Sequence, residues 1–138
     1  MKLYLDIDGV LLHQKEDKAA EHAAELIEYI TSEFVCFWLT AQCRGDSEHA
    51  VKYLSEYFQK DIVEKLTKIK PTYWETLKTE AIDFDSNFIW LDDYPFQAEK
   101  EVLRSFAASE SLYTVNLSRE NELPNVLEYL KGIKATRR

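Results

Sequence analysis

The stretch LYLDIDGVLL, residues 3–12, decides the fold because it joins an apolar run to two closely spaced aspartates and a glycine. The residues KLYLDI (2–7) predict a first β-strand that is apolar enough to be covered on both faces. Asp6 and Asp8 then stand one residue apart, where the strand meets a loop. Two like charges this close repel each other unless a cation offsets them. The remainder of the sequence must therefore supply a cation.

The composition is that of a single folded domain. The chain has 138 residues, of which 46% are hydrophobic, and this is enough for one sizeable core. Only three glycines and three prolines occur, which leaves little material for flexible linkers. Because no internal repeat or low-complexity tract marks a boundary, we expect residues 1–138 to form one domain.

The charge balance is acidic, with 17 Lys and Arg against 25 Asp and Glu, a formal net charge of −8. Non-specific affinity for nucleic acid needs clustered basic residues, so we expect no general nucleic-acid-binding surface. The basic end KATRR (134–138) is expected to be a frayed tail. No signal peptide is visible and no apolar run approaches the roughly 18 residues of a membrane span. We therefore expect no membrane partner and a cytoplasmic protein, with Cys36 reduced and buried.

Short apolar runs alternate along the chain with helical patterns. Strands are predicted over four short apolar runs, at 2–7, 34–39, 88–91 and 112–117. Helices are predicted by apolar periodicity and capping signals over 18–31, 46–58, 71–84, 99–109 and 123–133. Residues 61–69 fit either a strand or a helix, and we favour a short helix that runs into an edge strand. This alternation predicts an α/β fold whose parallel strands are joined by crossovers.

Polar side chains follow three of the predicted strands. Asp6 and Asp8 follow the first strand, Thr40 follows the second, and Asp92 and Asp93 end the run FIWLDD. In an open parallel sheet the ligand crevice lies at the carboxyl ends of the strands, so we expect these residues to meet there. Converging carboxylates form the oxygen-rich site that Mg²⁺ prefers. The missing cation is therefore predicted to be Mg²⁺.

The two aspartates of the first strand end suit the two roles that phosphoryl transfer requires. Asp6 would attack phosphorus as a carboxylate nucleophile and form an aspartyl-phosphate. Asp8 would protonate the leaving oxygen and then activate water. Gly9 would permit the tight turn that brings Asp8 back toward the site.

Four segments in order, LDIDGVLL, FWLT, a lysine and IWLDD, resemble the motifs of the haloacid-dehalogenase-like (HAD) superfamily. The resemblance implies a three-layer α/β/α Rossmann-like fold with a mainly parallel sheet of about five strands and no cap domain. It implies that Thr40 binds the transferred phosphoryl group and that the lysine neutralises it. It also implies that Mg²⁺ is held by Asp6, the Asp8 carbonyl and the pair Asp92 and Asp93. The short chain with WLT and WLDD is similar to the small HAD domains of RNA-repair multidomain proteins.

Two lysines fit the third motif. Lys70 lies 22 residues before Asp92, a spacing of many family members, and Lys78 lies 14 residues before it. We favour Lys78, whose position resembles that of the small-domain variant, and the other lysine is then expected to be a solvated surface residue.

Three further residues are assigned to substrate binding: Gly9, Ala41 and Arg44. Arg44 lies in the loop after the second strand and would clamp a phosphate or carboxylate of the substrate. A solvated loop arginine is an equally good interpretation of the same residue.

The chain has no insertion large enough for the cap domain that many HAD enzymes carry. An uncapped site cannot by itself enclose a small metabolite and exclude water. We therefore expect a phosphorylated substrate that is macromolecular, or a partner subunit that serves as a lid. The leading hypothesis is a Mg²⁺-dependent phosphohydrolase. The alternatives are a non-catalytic metal-binding regulatory module on the same scaffold and a receiver-like signalling domain, which the order of the acidic motifs disfavours.

Overall fold

A computed structural model describes residues 1–136 of the protein. Within this range, four strands form one sheet: β1 (Lys2–Leu5), β2 (Val35–Trp38), β3 (Phe88–Asp92) and β4 (Leu112–Thr114). Their order is β2-β1-β3-β4, and every neighbouring pair runs parallel. The predicted α/β class with parallel pairing is confirmed, and the arrangement is compatible with a Rossmann-like fold.

The same part of the chain contains five α-helices and two 3₁₀ turns. The helices are α1 (Ala23–Glu33), α2 (Glu48–Leu54), α3 (Lys60–Leu66), α4 (Gln97–Ser105) and α5 (Glu122–Thr136). The 3₁₀ turns are Lys78–Ala81 and Ser109–Ser111. Helix α1 contacts α3 and α5 and buries the predicted apolar stripe of Leu26, Ile27 and Ile30. The expected frayed tail is wrong for residues 134–136, which belong to α5; residues 137 and 138 lie outside the described residues.

Alternate residues of the central strands pack into two separate apolar clusters. Leu3 and Leu5 join the cluster that contains the buried stripe of α1, whereas Tyr4 joins Trp90 and Leu103 of α4 in the other. Successive side chains of a strand point to opposite faces of the sheet, so both faces of β1 and β3 are covered. This explains why their sequences are continuous apolar runs, and why polar side chains of these segments occur where the strands end.

The expected sheet of about five strands is wrong, because the edge strand predicted after α3 is a single bridge at Lys70. The Lys70 amide donates to the Cys36 carbonyl at 2.9 Å, and its carbonyl accepts from the Trp38 amide at 2.8 Å. A longer ladder would next use a backbone amide on the Trp38 carbonyl. Instead, the side-chain hydroxyl of Thr72 donates a hydrogen bond to the Trp38 carbonyl. The ladder of backbone hydrogen bonds therefore ends at this point.

The helix predicted over residues 71–84 is also wrong. This segment is irregular apart from the 3₁₀ turn at Lys78–Ala81. The Glu80 carboxylate accepts hydrogen bonds from the amides of all three residues 75–77. The Glu80 side chain thus accepts the hydrogen bonds that backbone carbonyls would accept in an α-helix. The helix predicted over 46–58 is likewise shorter, and α2 ends at Leu54.

The two cysteines are buried and carry free thiols. Burial raises the pKa of Cys36 to about 12, which keeps it in the unreactive thiol form. As for membranes, none of the helices between residues 1 and 136 combines the length and apolar character that crossing a bilayer requires.

Candidate active site

The carboxyl ends of β1 and β3 bring three acidic side chains together. Asp6 directly follows β1, and its amide donates to the Leu91 carbonyl at 3.1 Å, which extends the ladder by one residue. Asp92 is the last residue of β3, and Asp93 follows it. One carboxylate oxygen from each of Asp6, Asp92 and Asp93 lies within 4.8 Å of the other two. Asp6 and Asp92 are buried and Asp93 is half-buried.

The ammonium group of Lys78 lies against two of these carboxylates. Its Nζ is 2.7 Å from Oδ2 of Asp92 and 3.2 Å from Oδ2 of Asp6. The other lysine considered for this position, Lys70, is exposed, and its ammonium lies 5.8 Å from the centre of the Phe37 ring. The structure therefore places Lys78 in the acidic cluster and Lys70 away from it.

Burial is the largest influence on the pKa values in the cluster, and neighbouring charges modify it. Burial, reinforced by the charge of Asp92, raises the pKa of Asp6 to about 7, and Lys78 opposes this rise only in part. Burial and Asp92 also raise the pKa of Asp93. Burial by itself would lower the pKa of Lys78, but the two neighbouring carboxylates outweigh it and raise the value. One ammonium does not balance three carboxylates, so an additional cation would relieve the site.

Hydrogen bonds fix the orientation of the Asp6 carboxyl group. Its Oδ1 accepts a hydrogen bond from the Ile7 amide at 2.8 Å. The buried hydroxyl of Thr40 acts to lower the pKa of the same carboxyl group, and its oxygen accepts from the Gln42 amide at 3.3 Å. The amide of the residue after Asp6 thus orients the predicted nucleophile, and Thr40 lies close enough to influence its charge.

The carboxylate of Asp8 is held outside this cluster by residues of the neighbouring loop and helix. Its Oδ1 accepts from the Tyr53 hydroxyl at 2.9 Å and its Oδ2 accepts from the side-chain amide of Gln42 at 3.2 Å. The other end of the Gln42 side chain lies 3.1 Å from Nε2 of His49. Sequence reasoning missed Tyr53, because a contact between residues 45 positions apart leaves no local pattern, and it missed His49, which reaches Asp8 only through Gln42.

Gly9 is required by its backbone conformation and by its neighbour. Its φ is +83°, in the left-handed region, and a Cβ placed on it would lie 2.1 Å from Oδ2 of Asp93. A side chain at this position would therefore displace a member of the acidic cluster. The predicted turn role of Gly9 fits these observations, although no contact bears on its assignment to substrate binding.

The two other residues assigned to substrate binding lie on the exposed loop after Thr40. Ala41 is exposed and directly follows the buried threonine. Arg44 is exposed as well, and its guanidinium stacks 4.2 Å from the ring centre of Trp74, in the irregular segment that precedes Lys78. Arg44 thus contacts that segment and forms no ion pair with the acidic cluster among the described residues.

A cavity of about 350 Å³ lies beside the cluster. Gly9 and Asp93 form one side of it, and His13 and Arg119 contribute to its lining. Arg119, in the loop after β4, was not singled out from the sequence. The cavity offers room next to Asp93 for a group larger than a metal ion.

Searches with protein-family models, against curated proteins and against solved structures gave no match to this chain. The likeness to the HAD superfamily therefore rests on the ordered motifs.

Proposed function

We propose that this protein is a Mg²⁺-dependent phosphohydrolase of the HAD type, which acts through an aspartyl-phosphate formed on Asp6. The observation that carries the proposal is the convergence of Asp6, Asp92 and Asp93 from the ends of two strands, with the Lys78 ammonium bound to two of them. A buried carboxylate oriented by the Ile7 amide and flanked by the Lys78 ammonium suits nucleophilic attack on phosphorus.

The donor set fits magnesium. Three carboxylates supply hard oxygen ligands, and among the described residues the Lys78 ammonium is the cation that lies against them. We propose that Asp6, Asp92, Asp93 and the Asp8 carbonyl hold the ion. When bound, Mg²⁺ would supply positive charge to the carboxylates and to the phosphoryl oxygens of the substrate.

The proposed reaction has two steps, and Asp8 serves as the acid/base aspartate in both. In the first, a carboxylate oxygen of Asp6 bonds to phosphorus, the bond to the leaving oxygen breaks, and Asp8 gives that oxygen a proton. In the second, water attacks the phosphorus of the aspartyl-phosphate while Asp8 takes a proton from it. The bond between the Asp6 oxygen and phosphorus breaks, which releases phosphate and restores the Asp6 carboxylate. Thr40 and Lys78 would bind the phosphoryl oxygens during both transfers.

The proposal extends to architecture and substrate. Residues 6–22, between β1 and α1, contain only turns, bends and isolated bridges, so the described chain has no inserted domain at this entry to the site. We therefore infer an uncapped three-layer HAD fold whose substrate is a phosphorylated macromolecule, or whose lid comes from a partner subunit. Its proposed location is the cytoplasm.

The test is hydrolysis of p-nitrophenyl phosphate with and without Mg²⁺. Asp6→Asn keeps the size of the side chain and removes the nucleophile, so the rate should fall at least 1000-fold. Asp61→Asn, on the exposed face of α3, removes the same charge far from the strand ends and should leave the rate unchanged. Chelation with EDTA should abolish turnover reversibly. Full activity of the Asp6→Asn variant would overturn the mechanism.

A second assay separates the enzyme from a non-catalytic metal-binding module. Phosphorylated metabolites, phosphopeptides and 5′- or 3′-phosphorylated oligonucleotides are screened with Mg²⁺ present. Magnesium binding without turnover of any of these phosphate esters would favour the module.

A further inference from the structure

The carboxylate of Glu99 connects the start of α4 to the segment that carries Lys78. Its Oε2 accepts a hydrogen bond from the Lys78 amide at 2.7 Å, and its Oε1 accepts from the Phe96 amide at 2.8 Å. Glu99 is only 2% exposed, and it forms no ion pair with a cation among residues 1–136. Both oxygens of this buried carboxylate therefore bind backbone amides.

Capping of α4 accounts for only one of these two bonds. A glutamate in the first turn commonly binds the amide just before its own helix, as Glu99 does with Phe96. The bond to Lys78 crosses 21 positions of sequence and joins a different segment. Burial of a charged group is costly unless its hydrogen bonds are satisfied. The Glu99 carboxylate therefore needs the Lys78 amide as its second hydrogen-bond donor.

Lys78 begins a 3₁₀ turn that follows an irregular stretch of chain. Buried Trp74 and Ile82 anchor this segment in the apolar core on either side of Lys78, whereas Glu80 is exposed. Glu99 binds the backbone of Lys78, while Asp92 and Asp6 bind its ammonium. Because α4 begins five residues after Asp92, the short span from β3 to α4 contacts both the backbone and the ammonium of this lysine.

We propose that Glu99 is a positioning residue that sets the location of the Lys78 ammonium through the Lys78 backbone. This inference rests on the proposed phosphohydrolase function, in which Lys78 neutralises the transferred phosphoryl group. A displacement of about 1 Å in such a group lowers a rate by about 100-fold.

The first test is a double-mutant cycle on p-nitrophenyl phosphate hydrolysis. Glu99→Gln replaces one acceptor oxygen by a donor, and it should lower kcat by roughly 10- to 100-fold in the wild-type background. In the Lys78→Met background the same substitution should lower kcat by less than 2-fold, since the group it positions is already gone. Equal losses in the two backgrounds would show a merely structural effect and overturn the inference. If Glu99→Gln does not fold, Glu99→Asp, which retains the charge but is too short to hold both amides, enters the same cycle.

Glu122 provides the matched control. It too is a buried glutamate in the first turn of a helix, and its Oε2 accepts from the Asn116 amide at 2.7 Å. Glu122 also lies 4.0 Å from the guanidinium of Arg119, an ion pair that Glu99 lacks, but Glu122→Gln disturbs a buried, amide-binding carboxylate without touching the Lys78 segment. Its effect on kcat, whatever its size, should be the same with and without Lys78. A coupling to Lys78 as large as that of Glu99 would overturn the inference.

The second test needs no turnover, so it separates failure of the inference from failure of the proposed function. The wild-type rate decides whether the protein is a phosphohydrolase. The NMR signal of the Lys78 ε-methylene, assigned by its loss in Lys78→Met, decides whether Glu99 positions the lysine. Glu99→Gln should move that signal toward the position of exposed lysines, and Glu122→Gln should leave it in place. An unmoved signal in Glu99→Gln, or rapid hydrogen exchange of the Lys78 amide in the folded wild-type protein, would overturn the inference.

Discussion

Replacing Asp6 by Asn should make the metal-free protein more stable at pH 8, although it removes the proposed nucleophile. Burial and the nearby charge of Asp92 raise the pKa of Asp6 from its ordinary 3.8 to about 7. Between these two pH values the folded protein keeps a proton that the unfolded chain has lost. Stability contributed by this group is therefore present below pH 4 and is lost as the pH rises toward 7.

The size of the effect follows from the difference between the two pKa values. Each pKa unit corresponds to about 1.4 kcal/mol, so the buried charge costs the fold roughly 4 kcal/mol once Asp6 is ionised. Of this cost in folding free energy, roughly 3 kcal/mol develops between pH 5 and pH 8. Asparagine does not titrate, and its amide oxygen can still accept the hydrogen bond that the Ile7 amide donates to Asp6.

The measurement is urea unfolding of both proteins in EDTA at pH 5 and at pH 8. Between pH 5 and pH 8, the free energy of unfolding of the wild type should fall by roughly 3 kcal/mol more than that of Asp6→Asn. The gap between the urea midpoints of the two proteins should therefore change by about 1 to 2 M. Asp61→Asn, which removes an exposed carboxylate, should follow the wild type at both pH values. Parallel behaviour of the wild type and Asp6→Asn would refute the reasoning, because Asp6 would then ionise in the folded protein as it does in the unfolded chain.

Two further substitutions test the surroundings of the cluster. Gly9→Ala should weaken Mg²⁺ binding by at least 10-fold in a calorimetric titration, because the new Cβ meets Asp93 at 2.1 Å. Gly45→Ala shares the positive φ, but its nearest atom, at 3.7 Å, is an ordinary van der Waals contact, so it should cost roughly 1–2 kcal/mol of stability and leave Mg²⁺ affinity intact. Equal Mg²⁺ affinities in the two variants would contradict the clash. Tyr53→Phe removes a hydrogen bond to Asp8, the proposed acid/base aspartate, and should lower kcat about 10-fold with KM nearly unchanged. Tyr57→Phe, whose hydroxyl binds Asp17 instead, should behave as wild type, and equal losses in both would argue against a specific role for Tyr53.

The sequence predicts well where the backbone decides the outcome. Strands β1 and β3 are continuous apolar runs, and burial on both faces leaves the strand ends for Asp6 and Asp92. Parallel pairing then brings these ends together, so their convergence follows from topology. The choice of Lys78 over Lys70 came from motif spacing, and the structure places that lysine against both carboxylates.

The sequence predicts poorly where a side chain replaces a backbone partner. The helix expected over 71–84 is absent because Glu80 binds three preceding amides, and the fifth strand is absent because the Thr72 hydroxyl takes the Trp38 carbonyl. Propensity and periodicity describe a segment alone, whereas these bonds depend on what lies nearby in space. The contacts of Tyr53 with Asp8 and of Glu99 with the Lys78 amide are of the same kind.

The acidic cluster and its supports share one physical logic. Three carboxylates at one edge of the sheet repel each other, and the Lys78 ammonium offsets only part of this repulsion. Two strands covered on both faces hold Asp6 and Asp92 in place, and Glu99 binds the backbone of Lys78. Burial and the charge of Asp92 raise the pKa values of Asp6 and Asp93, so ionising these groups lowers the stability of the metal-free fold. A divalent ion in the proposed site would offset the same charges, so stability and metal binding should change in opposite directions when Asp6 loses its charge.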